Sequence, residues 1–327
     1  MKKIMAGIAL YALLGIVLLT AWPVRAADLE PGGDCCRDLE ERVAELEATV
    51  AKKGNRKLTL TISGQVSRSI LMVDGDAAVI DNPNSPTRLR VEGAGRVADG
   101  FVAGYVIEFG VGDDVPTVRH SFVFIENNVA RFSLGHTSMA TDGIADISLA
   151  NTGVANLPSA LFGALIDGPR APAIVLESKQ LHGFIASAAW SAENLWDVAL
   201  RYSVEIGEVQ VAAGVGYGED VIGKRLSGSA SVKHVPTGIF INAAGGRARD
   251  VDVNVWHLTG GVERRFLTIG ATTGFVEFGK LDAGTLAGDG WGLGVVQAID
   301  GAAADVFMAY RGIEDVDLVH AGMRIKF

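Results

Sequence analysis

The sequence predicts an all-β protein: a transmembrane antiparallel β-barrel of about 16 strands, preceded by a short periplasmic coiled-coil helix. Three observations support this fold. From residue 58 to the end of the chain, apolar and polar residues alternate with a period of two. After Ala26 no apolar stretch has the length of a transmembrane helix, although 49% of the residues are hydrophobic. A segment with helical spacing precedes the alternating region.

Residues 1–26 have the features of a secretory signal peptide. Lys2 and Lys3 precede the apolar run IMAGIALYALLGIVLLTAW, and the small-residue sequence VRA leads to Ala27. A basic start, an apolar stretch and small residues in this order predict cleavage after Ala26 and export of the chain. An uncleaved anchor helix is the alternative interpretation.

Residues 27–56 are predicted to be a periplasmic coiled-coil segment and a linker. The segment CCRDLEERVAELEATV has apolar residues at alternating spacings of three and four, as in the a and d positions of a coiled coil. So short a helix is not stable alone, which predicts a partner chain or a tether to an oligomer. An amphipathic helix packed on its own domain is the alternative, and the spacing leaves open whether a coiled coil would be dimeric or trimeric. The predicted oligomerisation residues are Cys36, Leu39, Val43, Leu46 and Val50.

Residues 57–327 carry the alternation that predicts strands. The first run, LTLTISGQVSRSI, has Leu, Ile and Val on one side and Thr, Ser and Gln on the other, and the final HAGMRIKF alternates to its last residue. Short breaks between such runs alternate with longer gaps, such as 74–86, 218–224 and 279–289. This rhythm is typical of an up-and-down antiparallel array with two different ends.

The composition of the two faces favours a barrel in lipid over a soluble β-sandwich. The polar face consists mostly of small residues rather than charged ones, whereas the apolar face is rich in Leu, Ile, Val and Phe in nearly every strand. A closed barrel satisfies every backbone group in lipid, and one of this size encloses water. Pairing of the first strand with the last would place Phe327 at the boundary between lipid and water.

Charge and motifs exclude several classes of function. The formal net charge is -9, and removing Lys2, Lys3 and Arg25 takes it to -12, which argues against a nucleic-acid partner. The histidines and the two cysteines have no metal-ligand spacing, and no nucleophile motif of the G-x-S-x-G type occurs. We therefore expect no catalytic residues, no metal and no cofactor, and we predict that the protein is not an enzyme.

The stretch CCRDLEERVAELEATVAKKGNRKLTLTISGQV is similar to the start of alphaproteobacterial outer-membrane porins that carry a short N-terminal coiled-coil segment. The terminal RIKF, ending on Phe327, resembles the signal that the barrel-assembly machinery reads. This resemblance implies a homotrimer in the outer membrane of a Gram-negative cell. It also implies a water-filled channel for passive diffusion of small hydrophilic solutes and ions.

The longest gap, 138–170, follows the fifth predicted strand and is expected to fold into the lumen. Alternation places several arginines on the inward side of the second, fourth and fifth strands. Such arginines facing loop carboxylates would produce a transverse field, as in porins; the alternative is that they only pair with neighbours such as Glu92 and Glu108. The predicted constriction residues are Arg88, Arg90, Arg119, Arg131, Asp142, Asp146 and Asp167.

Two other functions fit a barrel. The first is a structural or adhesive outer-membrane protein whose coiled-coil segment binds a periplasmic partner. The second is an autotransporter-type translocator, which usually has far fewer strands per chain and a large passenger domain. A conducting pore would distinguish the porin interpretation from a sealed structural barrel.

Overall fold

In a computed structural model, the chain is described over residues 58–112, 115–156, 163–192, 195–220, 223–283 and 286–327. The predicted signal peptide and coiled-coil segment, with Cys36, Leu39, Val43, Leu46 and Val50, lie outside these residues. Within the described part of the chain, no helix is both long and apolar enough to cross a membrane.

The described residues are almost entirely β-strand. One short helix, α1 (Gly163–Ile166), and a 3-10 turn (Asp300–Ala302) interrupt them. The strands are β1 (Thr61–Val73), β2 (Asp76–Asp81), β3 (Arg88–Ala98), β4 (Phe101–Gly110), β5 (Thr117–Glu126), β6 (Ala130–Ser138), β7 (Arg170–Ser178), β8 (Phe184–Ser191), β9 (Trp196–Ile206), β10 (Val209–Asp220), β11 (Gly223–His234), β12 (Ile239–Ala248), β13 (Val253–Leu267), β14 (Gly270–Ala283), β15 (Leu286–Ile299), β16 (Ala304–Ile313) and β17 (Val316–Lys326).

From β3 to β17 each strand pairs antiparallel with the next, and the last strand returns to the first. β17 pairs with β1 over nine residues, with Gln65 opposite Lys326, and this closes the ring. β2 pairs with the end of β1 and β3 with its beginning, so these two segments share one place in the wall. The result is a closed barrel of 16 strands, as predicted.

The barrel is apolar outside and polar inside. On β1, the side chains of Ile62 and Val66 are 60% and 50% exposed. Gln65 and Ser67, which flank Val66 in the sequence, are only 3% and 0% exposed. The same alternation continues around the ring, where Leu, Ile, Val, Phe, Trp, Met and Tyr side chains are exposed on most of the strands. Such an exterior is stable in hydrocarbon, and the pairing of β17 with β1 leaves neither of these terminal strands with a free edge.

The strands extend further than the sequence pattern indicates. Strand pairing continues into several of the longer gaps of the pattern, because backbone pairing does not require apolar residues. The gap 74–86 contains β2 and a two-residue turn, and β10 and β11 pair as far as Asp220 and Gly223 within the gap 218–224. In that turn Asp74 and Gly75 both have positive φ, 50° and 95°, the geometry of a tight hairpin turn that matches strand twist. Among the strands that the structure describes, β6 and β7 are joined by the longest connection, residues 139–169.

The segment between β2 and β3, residues 82–87, folds towards the inside of the barrel. Asn82, Ser85 and Thr87 are buried there. The side chain amide of Gln65 donates to the Ser85 hydroxyl at 2.8 Å, and Arg324 donates to the same hydroxyl at 2.8 Å. These contacts attach the segment to β1 and β17, so the interrupted strand leaves the barrel closed.

Candidate functional site

The long connection between β6 and β7, residues 139–169, is called here the inner loop. Its described residues, 139–156 and 163–169, lie inside the barrel. Met139 and Ile144 are buried with alanines of β7, β8 and β9. Val154 is buried against Phe240 of β12 and phenylalanines of β14 and β16, and Ile166 of α1 is packed with Val255 of β13. The apolar side chains of the loop avoid water by covering the inner wall from β7 to β16, called here the covered wall.

Small residues on the covered wall make room for the inner loop. On β10, an added Cβ at Gly214 would lie 2.5 Å from Ile147, and one at Gly216 would lie 2.6 Å from Thr141. On β11, the Ser229 hydroxyl donates to a loop carbonyl, and the Ser231 hydroxyl accepts from the Leu149 amide at 3.0 Å. The inward glycines and serines of β10 and β11 therefore form the docking surface of the loop.

Two charged side chains of β9 hold the start of the loop. Asp197 is buried and accepts hydrogen bonds from the Ala140 and Thr141 amides, both at 2.9 Å, and from the Thr141 hydroxyl at 2.6 Å. Arg201 donates to the carbonyls of Ala140 and Asp142 at 2.9 and 2.8 Å. Loop backbone groups that would otherwise be unsatisfied are paired here with the wall.

The tip of the loop is attached on the far side of the lumen. Asn82 donates its amide to the Val154 carbonyl at 3.0 Å, and Arg311 of β16 donates to the Ala155 carbonyl. Asn151 contacts both Glu263 of β13 and Asp305 of β16, at 2.6 and 2.8 Å. Because both its beginning and its tip are attached, the loop has a defined position in the lumen.

The remaining wall consists of β17, β1 and β3 to β6 and is called here the bare wall. Several arginines project from it into the lumen. Arg119 donates to Glu108 of β4 at 2.8 Å, and Arg90 lies 3.5 Å from the same carboxylate and 2.8 Å from Glu92. Arg88 is half-buried beside them. The side chain of Arg90 remains 34% exposed, so water reaches this group. Three of the predicted arginines are thus brought together around Glu108.

The fourth predicted arginine, Arg131, lies in a different place. It is the second residue of β6, directly after the turn that joins β5 to β6. Its guanidinium donates to Glu126 at 2.8 Å and lies 4.2 Å from the ring centre of Phe124. Lys179 contacts the same Glu126 at 2.7 Å. Arg131 therefore belongs to a separate ion-pair group near the short-turn end of the barrel.

The three predicted carboxylates have different surroundings. Asp142 accepts from the Ser138 hydroxyl and lies 3.5 Å from Arg170. Asp146 is exposed to the lumen; the surrounding wall and nearby Asp142 raise its pKa to about 6, although lumen water opposes this shift. Asp167 is buried and accepts hydrogen bonds from the Gly143 and Ala145 amides at 3.1 Å. Burial raises the pKa of Asp167 to about 7.

Arg324 and Lys326 of β17 are further cations of the bare wall that the predicted site omits. The alternation in HAGMRIKF already places both opposite its apolar residues, so the signal for an inward position was present. Phe327, which follows them, exchanges two backbone hydrogen bonds with Gly64 of β1, at 2.9 and 3.1 Å, and its side chain is exposed. No group of three or more metal-ligating side chains occurs among the residues that the structure describes.

Solved structures with the same fold are porins and related barrels. They include OmpT of Vibrio cholerae in a trimer form (16% identity, TM-score 0.60, covering 83% of this chain and 99% of that one). They also include a mutant of the Rh. blastica porin (13%, 0.62, 82% and 100%) and an anion-selective porin from Comamonas acidovorans (12%, 0.61, 83% and 100%). At these identities the likeness shows the barrel fold alone.

At the level of sequence, no curated protein gives a significant match. The family model described as Gram-negative porin, however, matches residues 19–317, which is most of the chain. This match agrees with the closed ring, the apolar exterior and the inward loop described above. The chain belongs to the Gram-negative porin family.

Proposed function

We propose that the protein is an outer-membrane channel for passive diffusion of small hydrophilic solutes and ions, and that it is not an enzyme. The observation that carries this proposal is the division of the lumen. One wall is covered by the inner loop, and the other presents partly exposed arginines to water. A sealed structural barrel would not need a charged, hydrated wall opposite a fixed loop.

Within this channel, Arg88, Arg90 and Arg119 form the cationic side of the constriction. Asp142 and Asp146 of the inner loop form the anionic side. A transverse field between them orients dipolar solutes and disfavours apolar ones. Of the other predicted residues, Arg131 acts near the periplasmic exit and Asp167 holds the loop in shape through its two backbone partners.

Current recording from the purified protein in planar lipid bilayers tests both the channel function and the role of the arginines in the constriction. The wild type is expected to give large, ohmic, stepwise conductance, and Arg88→Ala with Arg90→Ala is expected to lower the anion preference measured by reversal potential. Arg96→Ala is the matched control, because Arg96 is on the same strand with a side chain that is 77% exposed. An unchanged preference in the double variant would remove these arginines from the constriction, and a silent barrel would favour a structural role.

We also propose that the protein is a homotrimer, as the trimer form of OmpT and the resemblance to alphaproteobacterial porins suggest. The exterior of the barrel supports an interface on one side. The tryptophans of the described residues, which suit a lipid boundary, lie on β8, β9, β13 and β15, whereas β1 carries outward Arg68 opposite Asp81 of β2. Charged groups at this position fit protein contact better than lipid. A single-chain mass in detergent would contradict the trimer.

The division of the chain remains a proposal: residues 1–26 as signal peptide, 27–56 as periplasmic coiled-coil segment and linker, and 57–327 as barrel. The coiled-coil residues would support the trimer, and the terminal Phe327 would be read by the barrel-assembly machinery during insertion into outer-membrane lipid. N-terminal sequencing of the exported protein is expected to begin at Ala27. Electrophoresis without thiol would show whether Cys35 or Cys36 links subunits.

A further inference from the structure

A cavity of about 470 Å³ lies in the bare wall, beside the line where the barrel closes. Arg88 and Arg90 of β3 line one side, Arg324 and Lys326 of β17 line the other, and Ser63 and Gln65 of β1 lie between them. The volume is within the range of sites for small molecules. Cations from the beginning and the end of the barrel thus meet in one cavity.

The strand register explains why these cations converge. Gln65 of β1 is directly opposite Arg88 on one side and directly opposite Lys326 on the other. Strands separated by one neighbour lie about 9.5 Å apart. Long side chains on β3 and β17 can therefore reach a small group held above β1, whose neutral side chains do not compete for it.

The four cations differ in how strongly the protein already pairs them, and Arg88 and Lys326 are paired least. Arg324 donates twice to Asp305, at 3.0 and 2.6 Å, and Arg90 is shared between two glutamates. Lys326 is 3.8 Å from Asp305 with a side chain that is 52% exposed. Arg88 forms no hydrogen bond or ion pair within the described part of the chain, although its side chain is half-buried in the cavity wall. A half-buried guanidinium of this kind fits an oxyanion that presents two oxygens side by side, as a carboxylate or a phosphate does.

We propose that this cavity is a binding site for small solutes carrying a carboxylate or phosphate group, held between Arg88 and Lys326. The site rests on the proposed channel function, because a solute reaches it through the lumen. The Arg88 guanidinium offers parallel N–H donors to two oxygens, and the Lys326 ammonium supplies a second positive charge from the opposite strand. Glu108 at the edge of the cavity disfavours ligands of high charge density close to β4.

Isothermal titration of the full chain in detergent with inorganic phosphate, succinate and chloride tests the site. Saturable binding of phosphate, succinate or both is expected, and chloride is expected to show none, since it cannot use the guanidinium fork. Arg88→Gln and Lys326→Gln are each expected to weaken oxyanion binding about tenfold. Arg96→Gln, which removes the same charge from β3 outside the cavity, is expected to leave binding unchanged.

Failure of the site and failure of the channel are distinguishable. Absence of oxyanion binding, or equal weakening by Arg96→Gln, would overturn the site, even if the protein conducts in a bilayer. Oxyanion binding by a barrel that does not conduct would support the site and overturn the channel. Lys326→Gln, at a half-exposed position, keeps the test valid if the Arg88 variant does not fold. Binding of phosphate alone or succinate alone would identify which of the two chemistries the cavity prefers.

Discussion

The two walls of the lumen are built from the same strand pattern, but they have different partners. On the covered wall the inward residues include Gly214, Gly216 and Ser229, and protein packs against them. On the bare wall the inward residues include Arg90 and Arg119, and water remains against them. Small inward residues on β10 and β11 therefore mark where the loop docks, whereas the inward arginines around Glu108 mark the part of the wall that leaves a channel.

The barrel has an apolar exterior and also a hydrophobic core, because the inner loop packs against one of its two walls. The buried apolar residues, such as Ile144, Val154 and Phe307, are found between the inner loop and the covered wall, inside the barrel. The apolar side chains of the loop are thus removed from water by packing in the lumen, as those of a soluble domain are removed from water in its core. Variants that exchange the properties of the two walls are the most direct tests of this interpretation.

The largest effect is expected from Arg311→Ala on the covered wall. Arg311 is 1% exposed, donates to Glu277 at 2.7 Å and also holds the loop tip at Ala155. Removing the guanidinium beside a buried carboxylate is expected to cost about 3–5 kcal/mol of unfolding free energy. Urea unfolding in detergent measures this loss.

The matched control is Arg247→Ala. Arg247 forms an exposed ion pair with Asp252 at 3.4 Å, and its loss is expected to cost less than about 1 kcal/mol. Equal losses in the two arginine variants would mean that the loop tip and the Glu277 pair contribute little to stability. Unsteady single-channel current in Arg311→Ala alone would show that the tip contact also keeps the loop in place.

A smaller effect is expected from Gly214→Leu, which gives the covered wall a large inward side chain. The new side chain would occupy the space of Ile147 and Ile144. Overpacking of this kind costs about 1–3 kcal/mol, and displacement of the loop is expected to change the single-channel conductance. Gly274→Leu on β14 is the control, because a Cβ at Gly274 meets open space. A Gly214→Leu channel with wild-type conductance would argue against glycine-dependent docking.

The smallest effect is expected from pH. The raised pKa values of Asp167, about 7, and Asp146, about 6, mean that both carboxylates are charged at pH 8 and largely neutral at pH 5. The negative charge of the inner loop is therefore lost as the pH falls through these values, and anion preference is expected to rise. Reversal potentials measured from pH 8 to 5 check this. Asp146→Asn with Asp167→Asn is expected to flatten the change; a full change in that variant would assign it to other groups.

Several features of the site could be predicted from the residues alone. Alternation identifies the inward arginines on β3 and β5, because successive side chains of a strand point to opposite faces. The length and apolar content of the gap 138–170 predict an inward loop. The same alternation also predicts that Arg324 and Lys326 face inwards. The predicted site does not include them, because they lie far from Arg88 along the chain.

Other features depend on contacts between distant strands. No local pattern indicates that Asp167 bonds to the Gly143 and Ala145 amides, or that Arg131 pairs with Glu126 away from the other arginines. The extension of strands through predicted gaps also depends on pairing with a neighbour. Backbone hydrogen bonds between strands form whether the side chains are polar or apolar. The pattern of side chains is therefore a poor guide to where a strand ends.

Alternation and composition are local properties of the sequence, and they were enough to predict a closed barrel with its apolar side outwards. Which wall the loop covers, which arginines meet at Glu108 and how β3 and β17 share a cavity follow from register and ring closure. Ring closure brings together residues more than 200 positions apart, such as Arg88 and Lys326 on either side of Gln65. Such proximity arises only when the first strand pairs with the last.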